Sequence, residues 1–146
     1  MKMYFSKGQV WGFLLTVAVA AVLAYPALAN DNPADHPLRI LKARYQNDST
    51  RGAAASAKGN LTIWMQNSVG VAVDGIEIEV ELYNDRNRKV ETLRRDIGLL
   101  EAGEKKIITF RWDVIAEDSV KPRFFVEYNR RGNQKARFEG DSPNWQ

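Results

Sequence analysis

Ile76-Glu77-Ile78-Glu79-Val80-Glu81-Leu82-Tyr83 is the stretch that decides the fold. Apolar and polar residues alternate without a break, which is the period of an extended strand and not of a helix. Ile76, Ile78, Val80 and Leu82 share one face, and the three glutamates and Tyr83 share the other. A strand of this kind lies in an antiparallel sheet with one side in the core and one in water.

The same period continues outward in both directions. Upstream, Leu61, Ile63 and Met65 alternate with Thr62, Trp64 and Gln66. Downstream, Asn84-Asp85-Arg86-Asn87 has turn chemistry, and Val90 to Ile97 reads as a weaker strand. Glu101-Ala102-Gly103-Glu104 is a second turn, leading into Lys105 to Trp112, where Ile108, Phe110 and Trp112 share a face. Pro122 opens a strand over Arg123 to Tyr128, with Phe124, Val126 and Tyr128 inward. Arg131-Gly132-Asn133 is a tight turn, and Gln134 to Phe138 returns from it. Leu38 to Tyr45 is a candidate first strand with a mixed pattern, and Asn47 to Asn60, rich in Ser, Ala and Gly, reads as a loop. Val114 to Val120 has room for one helical turn at most. Short strands at this spacing, separated by Gly, Asn and Asp, predict an all-β fold: an antiparallel immunoglobulin-like β-sandwich of about seven strands over residues 38–140.

The chain opens differently. Lys2 and Lys7 form a positive start, Val10 to Tyr25 is apolar and uncharged, and Ala27-Leu28-Ala29 follows Pro26. This is the pattern of a secretory signal peptide, so residues 1–29 are expected to be removed after Ala29 and the protein to work in a bacterial periplasm or outside the cell. Residues 30–37, with two prolines and two aspartates, read as a flexible lead-in, and residues 141–146 as a C-terminal tail.

Composition excludes several chemistries. The formal net charge is +3, from 21 basic and 18 acidic side chains. Lys2 and Lys7 leave with the leader, so 19 basic residues face 18 acidic ones and the mature charge is +1. That balance does not suit nucleic acid. There is no cysteine, which removes thiolate catalysis, disulfides and cysteine-type metal sites. His36 is the only histidine and Met65 the only methionine beyond the leader, too few for a soft-metal carrier. No cofactor and no metal are expected.

Val80-Glu81-Leu82-Tyr83-Asn84, followed by Lys89-Val90-Glu91-Thr92 and Leu100-Glu101-Ala102-Gly103-Glu104, resembles the immunoglobulin-like domains of prokaryotic envelope proteins, the FxLYD and CARDB types above all. In the FxLYD pattern a Phe opens the motif and an Asp closes it; Val80 and Asn84 stand there in this chain. The resemblance covers roughly Leu61 to Tyr128 and implies a non-catalytic adhesion, assembly or ligand-presentation module. It carries over no catalytic residue.

The residues themselves point the same way. Glu77, Glu79 and Glu81 project from one strand face, where same-face neighbours stand about 6.7 Å apart. That spacing does not converge on one ion, and we expect a solvated face whose carboxylates meet Arg or Lys of the next strand. A hydrolase would need a rigid base, and His36 lies in a proline-flanked segment expected to be mobile. The basic residues Lys121, Arg123, Arg130, Arg131, Lys135 and Arg137 cluster on the last two strands and their turn. They predict either a positive docking edge or charges that keep an exposed edge strand from pairing with other chains. Trp112 reads as core, while Trp64, opposite Leu61 and Ile63, and Trp145, near the chain end, are candidate contact residues. We therefore expect no enzyme but a protein-binding accessory or assembly module of an envelope complex, with Arg130, Arg131, Lys135, Arg137 and Trp145 as its binding residues. The partner would be another envelope protein. The alternative is a carbohydrate- or anionic-polymer-binding module, with anionic polysaccharide or lipid headgroups as the ligand.

Overall fold

The computed structural model describes residues 36–50, 55–130, 134–141 and 144–145. The expected signal peptide, most of the lead-in and the Arg131-Gly132-Asn133 turn lie outside the described residues. Eight strands follow in order: β1 (Leu38–Thr50), β2 (Ser56–Asn67), β3 (Val73–Asn84), β4 (Lys89–Leu100), β5 (Lys105–Ile115), β6 (Val120–Arg130), β7 (Gln134–Glu139) and β8 (Asn144–Trp145). They form two four-stranded sheets, ordered β5-β2-β1-β8 and β4-β3-β6-β7. The first seven strands pair antiparallel, and β8 adds a two-residue parallel pairing to β1. The protein is an all-β sandwich.

The alternation of β3 works as its sequence dictates. Ile76, Ile78, Val80 and Leu82 are fully buried and meet Leu61, Ile63 and Met65 of β2, Phe110 and Trp112 of β5, and Phe124 and Val126 of β6 in one core. Each sheet thus contributes one apolar face to a layer of the kind that holds aligned sandwiches together. The β3–β4 turn is closed by Asn84, whose side-chain oxygen accepts from the backbone N–H groups of Arg86 and Arg88 at 3.1 and 3.0 Å. Asn87 takes the left-handed conformation there, which Asn tolerates better than most residues. Buried Asn67 plays the matching part at the other end of the sandwich. Its amide donates to the carbonyls of Val71 and Leu100, fixing the crossing from β2 to β3 against the end of β4.

Four expectations need correction. The expected loop over Asn47–Asn60 is mostly a hairpin: Asn47, Asp48, Ser49 and Thr50 pair with Gly59, Lys58, Ala57 and Ser56. Small residues serve there because the backbone is crowded; a side chain at Gly59 would meet the Gln46 carbonyl and the Trp112 ring. Ala116 ends β5 in a turn, and no helix forms before β6. Pro122 lies inside β6, buried opposite Leu82, because the strand begins earlier at Val120. His36, expected in a mobile segment, is buried: its ring stacks on Phe138 with centroids 4.3 Å apart, and its Nδ1 shares a 2.8 Å hydrogen bond with the Tyr128 hydroxyl.

Candidate functional site

The three glutamates of β3 project from the outer face of the second sheet, flanked by β4 and β6. Glu79 pairs with Arg94 on one side and Phe125 on the other, and β7 lies one strand further. Arg137 of β7 reaches across Phe125 with its guanidinium carbon 4.3 Å from the ring centre. It donates to Glu79 at 2.8 Å and to Glu127 at 3.2 Å. Arg94 donates to the other Glu79 oxygen at 2.7 Å. Glu81 accepts from the Tyr83 hydroxyl at 2.6 Å and from Lys89 at 2.9 Å. Arg123 makes a two-pronged contact with Glu139, both bonds 2.8 Å. Arg and Lys do meet the glutamates, as expected, but the face is not fully solvated: Glu79 and Glu81 are buried beneath their partners.

The cations set the protonation of this face. The Arg137 hydrogen bond, helped by Arg94 and opposed by burial, holds the Glu79 carboxyl below the ordinary carboxylate value. The Tyr83 hydrogen bond and Lys89 do the same for Glu81, and Glu81 in turn raises the Tyr83 hydroxyl. Both carboxylates stay ionised at neutral pH. Neither holds the proton that an acid catalyst must donate.

The expected binding residues divide between the two sheets. Arg130 stands exposed at the end of β6, bordering a shallow recess with Val69, Val71 and Tyr128. Lys135 lies 3.9 Å from Glu127, so Lys135 and Arg137 share one carboxylate. The predicted positive hairpin is therefore neutralised along β7 by acids of β3 and β6. Arg131 lies outside the described residues. The backbone of Trp145 belongs to the other sheet, paired with Tyr45 of β1; its side chain lies outside the description. Asn144 and Trp145 thus lie along β1, in the sheet that does not contain Arg137.

A second group of basic side chains stands elsewhere. On the outer face of the first sheet, β1, β2 and β5 line up in rows: Arg39–Gln66–Lys105, Lys42–Trp64–Ile107, Arg44–Thr62–Thr109 and Gln46–Asn60–Arg111. No carboxylate occupies these four rows. The next row is Asp48–Lys58–Asp113, two carboxylates around one lysine, with Lys58 3.2 Å from Asp113. Trp64 is half-buried, with Lys42 Nζ 5.0 Å from its ring centre, and it is the one aromatic of this face among the described residues. Sequence reading found Trp64 and missed the cations around it, because they come from three strands and make no run in the chain.

Among the described residues, two long strands have one edge without a paired strand. β4 and β5 are outermost in their sheets and adjoin at one margin of the sandwich, joined by the Glu101–Glu104 turn. The Arg95 guanidinium lies 5.1 Å from the Phe110 ring centre, closing the core between them. Ile115, at the end of β5, is 82% exposed. Among the described residues no group of three or more His, Asp and Glu side chains is placed to hold a metal ion.

No family model matches the chain, and no curated protein matches it. Two of the similar solved structures are a beta-glucuronidase of Bacteroides uniformis and a calcium-binding mutant of beta-glucuronidase 2 from the same organism. Each is 14% identical over 67% of this chain with a TM-score of 0.47. The chain spans only 12% and 13% of their lengths.

Proposed function

We propose that this chain is a non-catalytic, exported protein-binding module that serves as an accessory subunit of a bacterial envelope complex, docking through the β4–β5 margin. The observation that carries the reading is the pair of outermost strands, Lys89–Leu100 and Lys105–Ile115, side by side at one edge. An unpaired strand edge offers a row of backbone donors and acceptors that another chain can extend. Ile115 and Leu99 add exposed apolar side chains at this margin, of the kind that a partner covers. The charge-locked Glu79 and Glu81 support the non-catalytic half of the reading, as does the burial of His36 between Phe138 and Tyr128. Export rests on the leader pattern of residues 1–29, and no cofactor or nucleic acid enters the proposal.

Site-specific photocrosslinking in cells tests it. A photoreactive side chain at Thr92 or Leu99 should yield one discrete adduct with another envelope protein, and the same probe at Lys135 should not. Ile115→Asp should abolish the adduct without changing the thermal midpoint. Equal adducts from all three probe positions would count against docking at this margin. Intact mass of protein from the envelope fraction checks export; a species that keeps residues 1–29 would contradict it.

A further inference from the structure

A second surface is defined by the basic residues Arg39, Lys42, Lys105 and Arg111 on the outer face of the first sheet. The Lys42–Trp64–Ile107 row is flanked by the row carrying Arg39 and Lys105 and, two rows further along, by Arg111. At strand and row spacings of about 4.8 and 6.7 Å, the four rows cover roughly 20 by 10 Å. The patch has an apolar middle and a basic surround. Ile107 is 64% exposed, and Leu41, the extra residue of the β1 bulge beside Lys42, is 51% exposed. Single exposed apolar side chains are ordinary, but Ile107 shares a row with Trp64, so the two form one apolar spot on the face.

We propose that this face binds the surface of an anionic lipid bilayer. Three features favour a bilayer over a soluble polyanion. The face is an open sheet surface: Arg39 borders a recess that also holds Glu139 and Asp141, while Lys42, Trp64, Lys105, Ile107 and Arg111 lie outside the recesses described. A planar partner fits it better than a threaded chain. A tryptophan with aliphatic tips suits the zone between headgroups and acyl chains, and the surrounding Lys and Arg suit the phosphates above it. A polyanionic sugar would satisfy the cations and leave Ile107 and Leu41 uncovered. Each basic side chain held at an anionic leaflet strengthens partition by about fivefold. Lys42, Arg39, Lys105 and Arg111 together give binding that depends steeply on salt. The neutralised face of β3, β6 and β7 has no such excess, so the protein would lie on the membrane with one defined side and leave the β4–β5 margin open to a protein partner.

Co-sedimentation of the full chain with vesicles tests this, comparing phosphatidylcholine alone with phosphatidylcholine containing phosphatidylglycerol. Reading the difference between the two lipids removes apolar insertion common to both. We expect at least about tenfold stronger binding to the anionic vesicles at low salt, lost on raising salt. Lys42→Glu with Lys105→Glu should remove that preference, and Lys135→Glu on the other sheet should leave it. Ile107→Ser should weaken vesicle binding while leaving any binding to soluble polygalacturonate unchanged. Circular dichroism and the thermal midpoint confirm that each variant is folded. The proposal is overturned by an absent lipid preference, by a preference that survives Lys42→Glu with Lys105→Glu, or by polygalacturonate binding as tight as vesicle binding and indifferent to Ile107→Ser. Loss of the β4–β5 crosslink with lipid binding intact would refute the protein-docking reading alone.

Discussion

On the outer face of the β4-β3-β6-β7 sheet, Arg94, Arg123, Arg137, Lys89 and Lys135 all meet carboxylates from other strands. On the outer face of the β5-β2-β1 sheet, four consecutive rows hold cations and no carboxylate. Both faces come from strands that alternate apolar and polar residues, and both carry abundant charge. They differ in what stands beside each charge. The first face uses its charge internally, to hold strands in register and keep Glu79 and Glu81 ionised. On the second, Arg39, Lys42, Lys105 and Arg111 have no carboxylate in their own rows. Abundant basic residues are therefore a poor guide to a binding surface unless the neighbouring strands are known.

The contrast concerns the outer faces, so damage to the interior should be equally severe in both sheets. Gly59→Ala would push a methyl group against the Gln46 carbonyl and the Trp112 ring, and Gly140→Ala would push one into the Phe124 ring. Each should cost about 1–3 kcal/mol, lowering the thermal midpoint by roughly 10 °C. If one variant is neutral, that sheet is more loosely packed than its partner.

Glu79→Gln attacks the self-satisfied face next. It leaves Arg94 and Arg137 facing a neutral amide, and should cost about 2 kcal/mol in urea unfolding, trimmed by the water that reaches both guanidinium groups. A loss below about 0.5 kcal/mol, the ordinary range for surface changes, would mean that the network contributes nothing beyond its exposed members.

Acid should act through the same residues. Glu79 and Glu81 titrate lower in the folded chain than the ordinary 4.5, so the unfolded chain takes up protons first as pH falls. Their contribution is complete above that value and is lost as pH falls through the lowered folded values. The urea midpoint should therefore drop on acidification below pH 4.5, and the Glu79→Gln variant should show a shallower drop. An identical slope in both proteins would assign the acid sensitivity to other groups.

The smallest effects belong to the other face. Lys42→Ala and Ile107→Thr should change stability by no more than about 0.5 kcal/mol, since neither side chain holds the fold together. A larger loss at Lys42 would make its contact with Trp64 a structural one and weaken the contrast between the faces.

Much of the sandwich was legible in the sequence. The Ile76–Tyr83 alternation placed four residues in the core correctly, and the turns at Asn84–Asn87 and Glu101–Glu104 fell where their chemistry said. Legibility failed where the signal was not local. Ala57 and Gly59 look like loop residues, yet they sit in β2 because Trp112 needs the space above them. His36 looked exposed between Asp35 and Pro37, and only the packing of Tyr128 and Phe138 around it reveals a buried ring. The basic cluster at Arg130–Arg137 is made of neighbours in the chain, and only the structure reveals that Arg137 and Lys135 lie against Glu79 and Glu127.

By itself the sequence determined, where apolar and polar residues alternate cleanly as in Ile76–Tyr83, that the segment is strand and which of its sides faces inward, because side-chain alternation is a property of consecutive residues. It could not determine which strands lie side by side. That was settled by the tertiary structure, when β3 came between β4 and β6, and β2 between β5 and β1. Electrostatic pairing across a sheet acts over a few ångströms laterally while the partners are far apart along the chain: Glu79 and Arg137 are separated by 58 positions. Only the folded arrangement decides which charges cancel and which remain for a partner.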